Sequence, residues 1–145
     1  MSTATETLLQ VYGQATLPRL ARGAGLDESE PGRALEALST LYGDKSGRAR
    51  VVAGLPLEAR ELLAFIDGIG RRLRGERLKK RWFLHGYTDF DARIEPLVEA
   101  GLVIVGNVGA REPVALETAL EQGLLQQWIQ VTPGFEHLAG GGPPA

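Results

Sequence analysis

Seven cations fall within one short stretch of this chain: Arg71, Arg72, Arg74, Arg77, Lys79, Lys80 and Arg81, opposed there by Glu76 alone. The strip carries a net +6, and since the whole chain carries −2, the remainder carries −8. Trp82 follows directly. Cations at this density can neutralise several phosphates of a nucleic-acid backbone, and an adjacent aromatic ring can stack on an unpaired base. Charge runs are also ordinary solvated helix faces, and Trp82 and Phe83 are also ordinary core residues, so both readings of the strip stay open.

Other chemistries lack their parts. Gly70 and Gly75 have the spacing of two phosphate-loop glycines, but Glu76-Arg77 stands where Lys and Ser or Thr are required, and a carboxylate there repels phosphate. Gly68-Ile69-Gly70 has Leu73 where a dinucleotide fingerprint needs its third glycine. These glycines read as a helix end and a turn. His85 and His137 are the only imidazoles and sit in unrelated contexts, without the three or four ligands at recurrent spacing that hold zinc. They read as solvated or hydrogen-bonded structural histidines. The absence of cysteine excludes disulfides, thiolate metal sites and a cysteine nucleophile. Asp89 and Asp91 are two residues apart, so on a helix they do not face each other, and they read as N-cap and first-turn acids. The expectation is a chain that is not an enzyme and takes no cofactor or metal.

At 145 residues and 43% apolar composition, the chain can bury one core or two small ones sharing a face. No apolar stretch approaches the roughly 20 residues needed to cross a bilayer. Met1 to Gln10 also lacks the basic start and apolar run of a signal peptide. A cytoplasmic protein without a membrane partner is expected.

The elements that position the strip can be read from apolar spacing and breakers. Leu8, Leu9 and Tyr12 open a short helix, and Thr16 caps a second one containing Leu17, Leu20 and Ala21, ended by Gly23 and Gly25. Ser29 and Pro31 lead into a third helix with Leu35, Leu38 and Leu41, stopped at Gly43. Between Asp44 and Gly54, a strand over Arg48 to Val52 competes with a short helix capped by Asp44 or Ser46, and the helix is preferred. From Pro56, the residues Leu62, Phe65, Ile66, Ile69 and Leu73 share one helical face. Leu78 and Trp82 continue helical spacing until Gly86, and Asp89 begins a helix with Phe90, Ile94, Leu97 and Val98 in which Pro96 forces a kink or a late start. Leu102 to Val105 reads as a strand, Gly106-Asn107 as a turn and Pro113 to Leu116 as an edge-placed return strand. Thr118 to Leu125 allows one more helix, and Trp128 to Val131 a last strand.

Three helices followed by a hairpin is the winged-helix order. The expected fold is mainly α: a helical, helix-turn-helix-like segment over residues 1–54, packed on a winged-helix-like unit over 55–138 with a small β-hairpin wing, and a flexible Gly/Pro tail over 139–145. The run Ile94-Glu95-Pro96-Leu97-Val98-Glu99-Ala100-Gly101-Leu102-Val103 resembles the third helix and first wing strand of the winged-helix superfamily. A narrower resemblance runs through Leu17-Pro18-Arg19-Leu20-Ala21-Arg22, Leu55-Pro56-Leu57-Glu58-Ala59-Arg60-Glu61-Leu62-Leu63 and Pro113-Val114-Ala115-Leu116-Glu117-Thr118-Ala119-Leu120. With Trp128 to Phe135 following, this succession is similar to the N-terminal, non-motor region of bacterial XPB-like DNA helicases and helicase-associated proteins. The resemblance implies a helicase or DNA-repair context, with DNA or a helicase or repair protein as partner.

A winged-helix reader needs Arg, Lys, Asn or Gln on its third helix. Here Asp89, Asp91, Glu95 and Glu99 face Arg93 alone, and the earlier third helix has Asp27, Glu28, Glu30 and Glu36 against Arg33. Sequence-specific reading by those helices is therefore disfavoured. The leading expectation is a non-catalytic accessory domain that contacts DNA backbone through Arg71, Arg72, Arg74, Arg77, Lys79, Lys80, Arg81 and Trp82. The alternatives are a protein-interaction adaptor docking through acidic helices, with Asp91 and Glu95 in contact, or a winged-helix transcriptional regulator.

Overall fold

The computed structural model describes residues 18–26, 30–114 and 116–138 of the chain. The readings placed on Leu8, Leu9, Tyr12, Thr16, Leu17, Asp27, Glu28, Ser29, Ala115 and the 139–145 tail lie outside the described residues.

A first helix, α1, runs over 18–23 and buries Leu20 and Ala21. Helix α2 (Pro31–Tyr42) begins with proline, whose fixed φ and missing N–H suit a first turn, and stops at Gly43. Its deepest positions are Ala34, Leu38 and Tyr42, at i, i+4 and i+8, while Leu35 and Leu41 flank them half-buried. The ambiguous segment is helical: α3 spans Lys45–Ala53 and buries Val51 and Val52. Asp44 holds its N-cap position without a side-chain capping bond.

The remaining elements follow the order of a winged helix. Helix α4 (Leu57–Ile69) leads into strand β1 (Leu73–Arg74), then α5 (Gly75–Leu84) and α6 (Phe90–Glu99). Strand β2 (Val103–Asn107) is followed by α7 (Leu116–Gln122), a 3-10 turn (Leu124–Gln126) and strand β3 (Gln127–Val131). The sheet order is β1-β3-β2, antiparallel throughout, with Leu73 opposite Ile129 and Val105 opposite Ile129 on its other side. The architecture is thus mainly helical with a small three-stranded sheet, a helical segment joined to a winged-helix-like unit.

Three expectations change. Leu73 does not extend the α4 face, because Gly70 at φ 71 ends the helix in a left-handed turn and sends the chain into β1. Pro113 to Leu116 is not the return strand. Val114 donates one backbone hydrogen bond to Val105 (2.9 Å), the chain turns helical at Leu116, and the partner of β2 is β3. Asp89 precedes α6 but does not cap it with its side chain: its backbone is left-handed at φ 59, and its carbonyl accepts from the Arg93 N–H instead (3.1 Å). Helix α6 continues through Pro96, whose missing N–H removes one internal bond without ending the element.

One core joins both halves of the chain. Leu62, Phe65, Ile66, Phe90, Ile94, Leu97 and Val98 are all buried in it, on the faces that apolar periodicity assigns. Tyr42 ties the helical segment to the winged-helix-like unit: its hydroxyl donates to the Ala100 carbonyl at 2.6 Å, and its ring meets Phe135 edge-on at 5.0 Å. Beside this contact, Arg19 on α1 reaches Glu99 on α6 at 3.5 Å. No helix among the described residues is long and apolar enough to cross a membrane.

Two outcomes follow from this packing. Ile94→Ala or Leu97→Ala should cost about 2–5 kcal/mol in urea denaturation, the range for a truncated buried aliphatic. Burial pushes the pKa of the Tyr42 hydroxyl well above its ordinary value of about 10. Folding therefore favours the neutral phenol: this contribution is intact below about pH 10 and is lost as pH rises above it, where the unfolded chain ionises first. Tyr42→Phe should remove that part of the alkaline destabilisation and cost about 1–2 kcal/mol at neutral pH through the lost hydrogen bond, both measurable from denaturation curves across pH.

Candidate nucleic-acid interface

The turn at Gly70 delivers Arg71 and Arg72 to the edge of the sheet, where strand alternation sorts the side chains that follow. Leu73 points inward and is buried, while Arg72 and Arg74 lie on the outer face with Trp128 and Gln130 of β3. Arg74 is in register with Trp128, which is in turn opposite Gly106 of β2. The indole of Trp128 lies across Gly106, where any Cβ would collide with its ring. A glycine at this strand position is thus a notch, although beside Asn107 it reads in sequence as a turn.

Trp128 organises its surroundings. Its Nε1–H donates to the Ala110 carbonyl at 2.9 Å, holding the start of the long β2–β3 connection against the sheet. The Arg72 guanidinium stacks over the indole, 3.7 Å from the ring centre. Arg72 Nε donates to Gln130 Oε1 at 2.7 Å, and its NH1 donates to the Arg111 carbonyl at 2.9 Å. Arg72 therefore acts as a structural cation that fixes the wing, a role its place in a charge run does not reveal.

Beside this assembly is an open groove of about 420 Å³, lined by Arg71, Arg72, Arg74 and Arg77 together with Trp128 and the wing-turn residues Val108 and Gly109. No carboxylate lines it. Arg71, Arg74 and Arg77 are exposed, and their side chains make no hydrogen bond or ion pair among the described residues. Arg77 stands near the start of α5, and Gly75, the first residue of that helix, is buried against the Leu124 carbonyl at the end of the wing connection.

Helix α5 distributes the rest of the strip. Leu78 and Trp82 face the core, whereas Arg77, Lys80 and Arg81 face outward. Lys79 is half-buried and engaged by Asp91 of α6 at 2.8 Å. The sequence run is thus split between a structural Arg72, an internally paired Lys79 and five exposed cations. Trp82 leaves the candidate site altogether: it is fully buried, stacked on Tyr87 at 4.2 Å and edge-on to Phe65 at 5.3 Å. A base cannot reach it. Its neighbour Phe83 is the exposed aromatic, which the run of adjacent aromatics leaves undecided until the phase of the helix is known.

Asp91 and Glu95 lie four residues apart on α6 and are both exposed, but Asp91 is held by Lys79 and Glu95 alone of the two is unpaired among the described residues. Arg93, the one cation of α6, lies toward Trp82 and Tyr87, with its guanidinium 5.6 Å and 5.9 Å from the two ring centres. The two histidines remain apart. The backbone N–H of His137 donates to Asp67 at 2.8 Å, and the His85 ring packs edge-on to Phe65 at 5.4 Å. No group of three or more His, Cys, Asp or Glu suited to a metal occurs among the described residues. Comparison with known proteins gives no matching family model, curated protein or solved structure.

The notch at Gly106 offers a direct test of how the wing is held. Gly106→Val should displace the indole, loosen the Ala110 and Arg72 contacts and cost about 1–3 kcal/mol in chemical denaturation, the usual scale for overpacking. An unchanged midpoint would mean that the wing does not depend on this seat.

Proposed function

We propose that the chain is a non-catalytic module that holds nucleic acid by its phosphate backbone, through the β1–α5–wing edge and without reading sequence. The observation carrying this reading is the groove lined by four arginines and no carboxylate, continued along α5 by exposed Lys80 and Arg81. Arginine presents several fixed donors to phosphate oxygens, and the guanidinium already fixed over Trp128 gives the groove a rigid wall. Helix α6 has the position of the reading helix in a winged-helix unit, but its exposed Asp91 and Glu95 oppose a phosphate backbone. Contact is therefore assigned to the opposite charge, on the neighbouring edge. The resemblance to the non-motor region of XPB-like helicases supports DNA as the polymer and an accessory role beside a motor or repair protein.

Fluorescence anisotropy with a labelled oligonucleotide tests the proposal. Binding should be weak and sequence-tolerant, and should fall about tenfold or more for a threefold rise in salt, as expected when about three phosphates are neutralised. Arg74→Glu combined with Arg77→Glu should abolish it while changing stability by no more than about 0.5 kcal/mol, because both side chains are exposed and unpaired. Asp91→Lys with Glu95→Lys should leave binding intact or strengthen it. Absence of binding at low salt overturns the proposal. Capture of a protein partner that is lost with the Asp91 and Glu95 changes, and unaffected by the arginine changes, would favour the adaptor reading instead.

A further inference from the structure

Helix α5 ends on a surface that backbone binding alone does not require. Phe83 is 66% exposed and Leu84 72% exposed, and the Phe83 ring has no aromatic partner among the described residues. Both are open at the end of a helix whose inner face is packed by Leu78 and Trp82. Their neighbours on the helix are cations. Lys80 is three residues before Phe83 and four before Leu84, and Arg81 is three before Leu84. Side chains at those spacings stand about 5–6 Å apart at their Cβ atoms. Arg77, one turn earlier, lines the arginine groove, so a continuous path leads from the groove along α5 to the exposed phenyl ring.

We propose that this path accommodates an unpaired nucleic-acid strand, with phosphates on Arg77 and Lys80 and a base stacked on Phe83. The proposal rests on the backbone-binding reading above and deepens it to a class of ligand. A duplex keeps the faces of its bases inside its own stack and offers an exposed phenyl group only sugar and phosphate, which gain nothing from an apolar ring. An unpaired strand offers both parts at once: an anion for the ammonium and guanidinium groups, and a π-face for the ring. Stacking of this type is tolerant of base identity, as expected for a surface with no set of directional donors and acceptors around the ring. Glu76 and Lys79, the other groups near the Phe83 side of α5, do not reverse this balance: Lys79 is neutralised by Asp91, leaving Lys80 against Glu76 with Arg77 in addition.

The test compares a short labelled oligothymidylate with the same strand annealed to its complement, using the full chain and Phe83→Ala, Phe83→Leu and Phe83→Trp variants. Since Phe83 is exposed, the thermal midpoints of all three should match the unaltered chain. Phe83→Ala and Phe83→Leu should weaken single-strand binding about 5-fold to 100-fold, the range for a lost stacking platform, with little change for the duplex. Phe83→Trp should retain binding, and its indole fluorescence should be quenched when the single strand is added. Equal loss on both ligands, or no loss on either, overturns the single-strand assignment. If Phe83→Ala has no effect while Arg74→Glu with Arg77→Glu abolishes binding, the backbone reading survives and this inference does not. If the unaltered chain binds neither ligand at low salt, both fall.

Discussion

Without a side chain at Gly106, the Trp128 indole can cross the outer face of a sheet whose edge strand, β1, is only two residues long. So short a strand contributes few ladder bonds, and its position has to be secured by side chains. The indole does this in three directions: to β2 through the notch, to the wing through the Ala110 carbonyl, and to the start of β1 through the stacked Arg72. Stacking on the indole holds the Arg72 guanidinium in place, so one wall of the groove is fixed before anything binds there. The groove is therefore a property of the sheet and its wing as much as of the charge run.

Charge is segregated across adjacent elements. The cations of the strip run from Arg71 through β1 and α5, with Glu76 the one acid among them, whereas α6 carries Asp91, Glu95 and Glu99 against Arg93, and the Lys79–Asp91 pair at 2.8 Å joins the two territories. That pair is exposed enough that its contribution to stability is modest, but it is directional: it uses the carboxylate nearest the basic face and leaves Lys80, Arg77 and Arg81 unopposed by α6. The arrangement thus presents its exposed cations at the edge formed by β1 and α5, while the neighbouring α6 carries a net negative charge.

Much of the scaffold was legible in the sequence because α4 and α6 are long enough for apolar spacing to fix their phase. Ile94, Leu97 and Val98 could be assigned to the core from their intervals alone, and so could Leu62, Phe65 and Ile66. β1 was not legible: a single leucine between arginines has no period, and the spacing from Ile69 to Leu73 mimics one more helical turn. The return strand was misplaced because Pro113-Val114 has a strand-like composition and does touch β2 through one hydrogen bond, whereas the true partner is separated by a helix that the hairpin reading did not require. At the candidate site, the cations were visible as a run, but their division into structural, paired and exposed members depends on strand alternation and helix phase. A shift of one residue in α5 decides between Trp82 and Phe83, one in the core and the other at the surface.

The Val114 contact has a consequence at the margins of the sheet. With the order β1-β3-β2, both outer strands could in principle recruit a strand from another molecule. On one side, the length of β1 and the arginines that flank Leu73 make poor templates, since like charges would be forced together. On the other, the Val114 N–H occupies the free carbonyl of Val105 and lays the wing connection along β2. The same connection that contributes Val108 and Gly109 to the groove therefore also covers part of the outer edge of β2, so groove lining and edge protection are joined in one stretch of backbone.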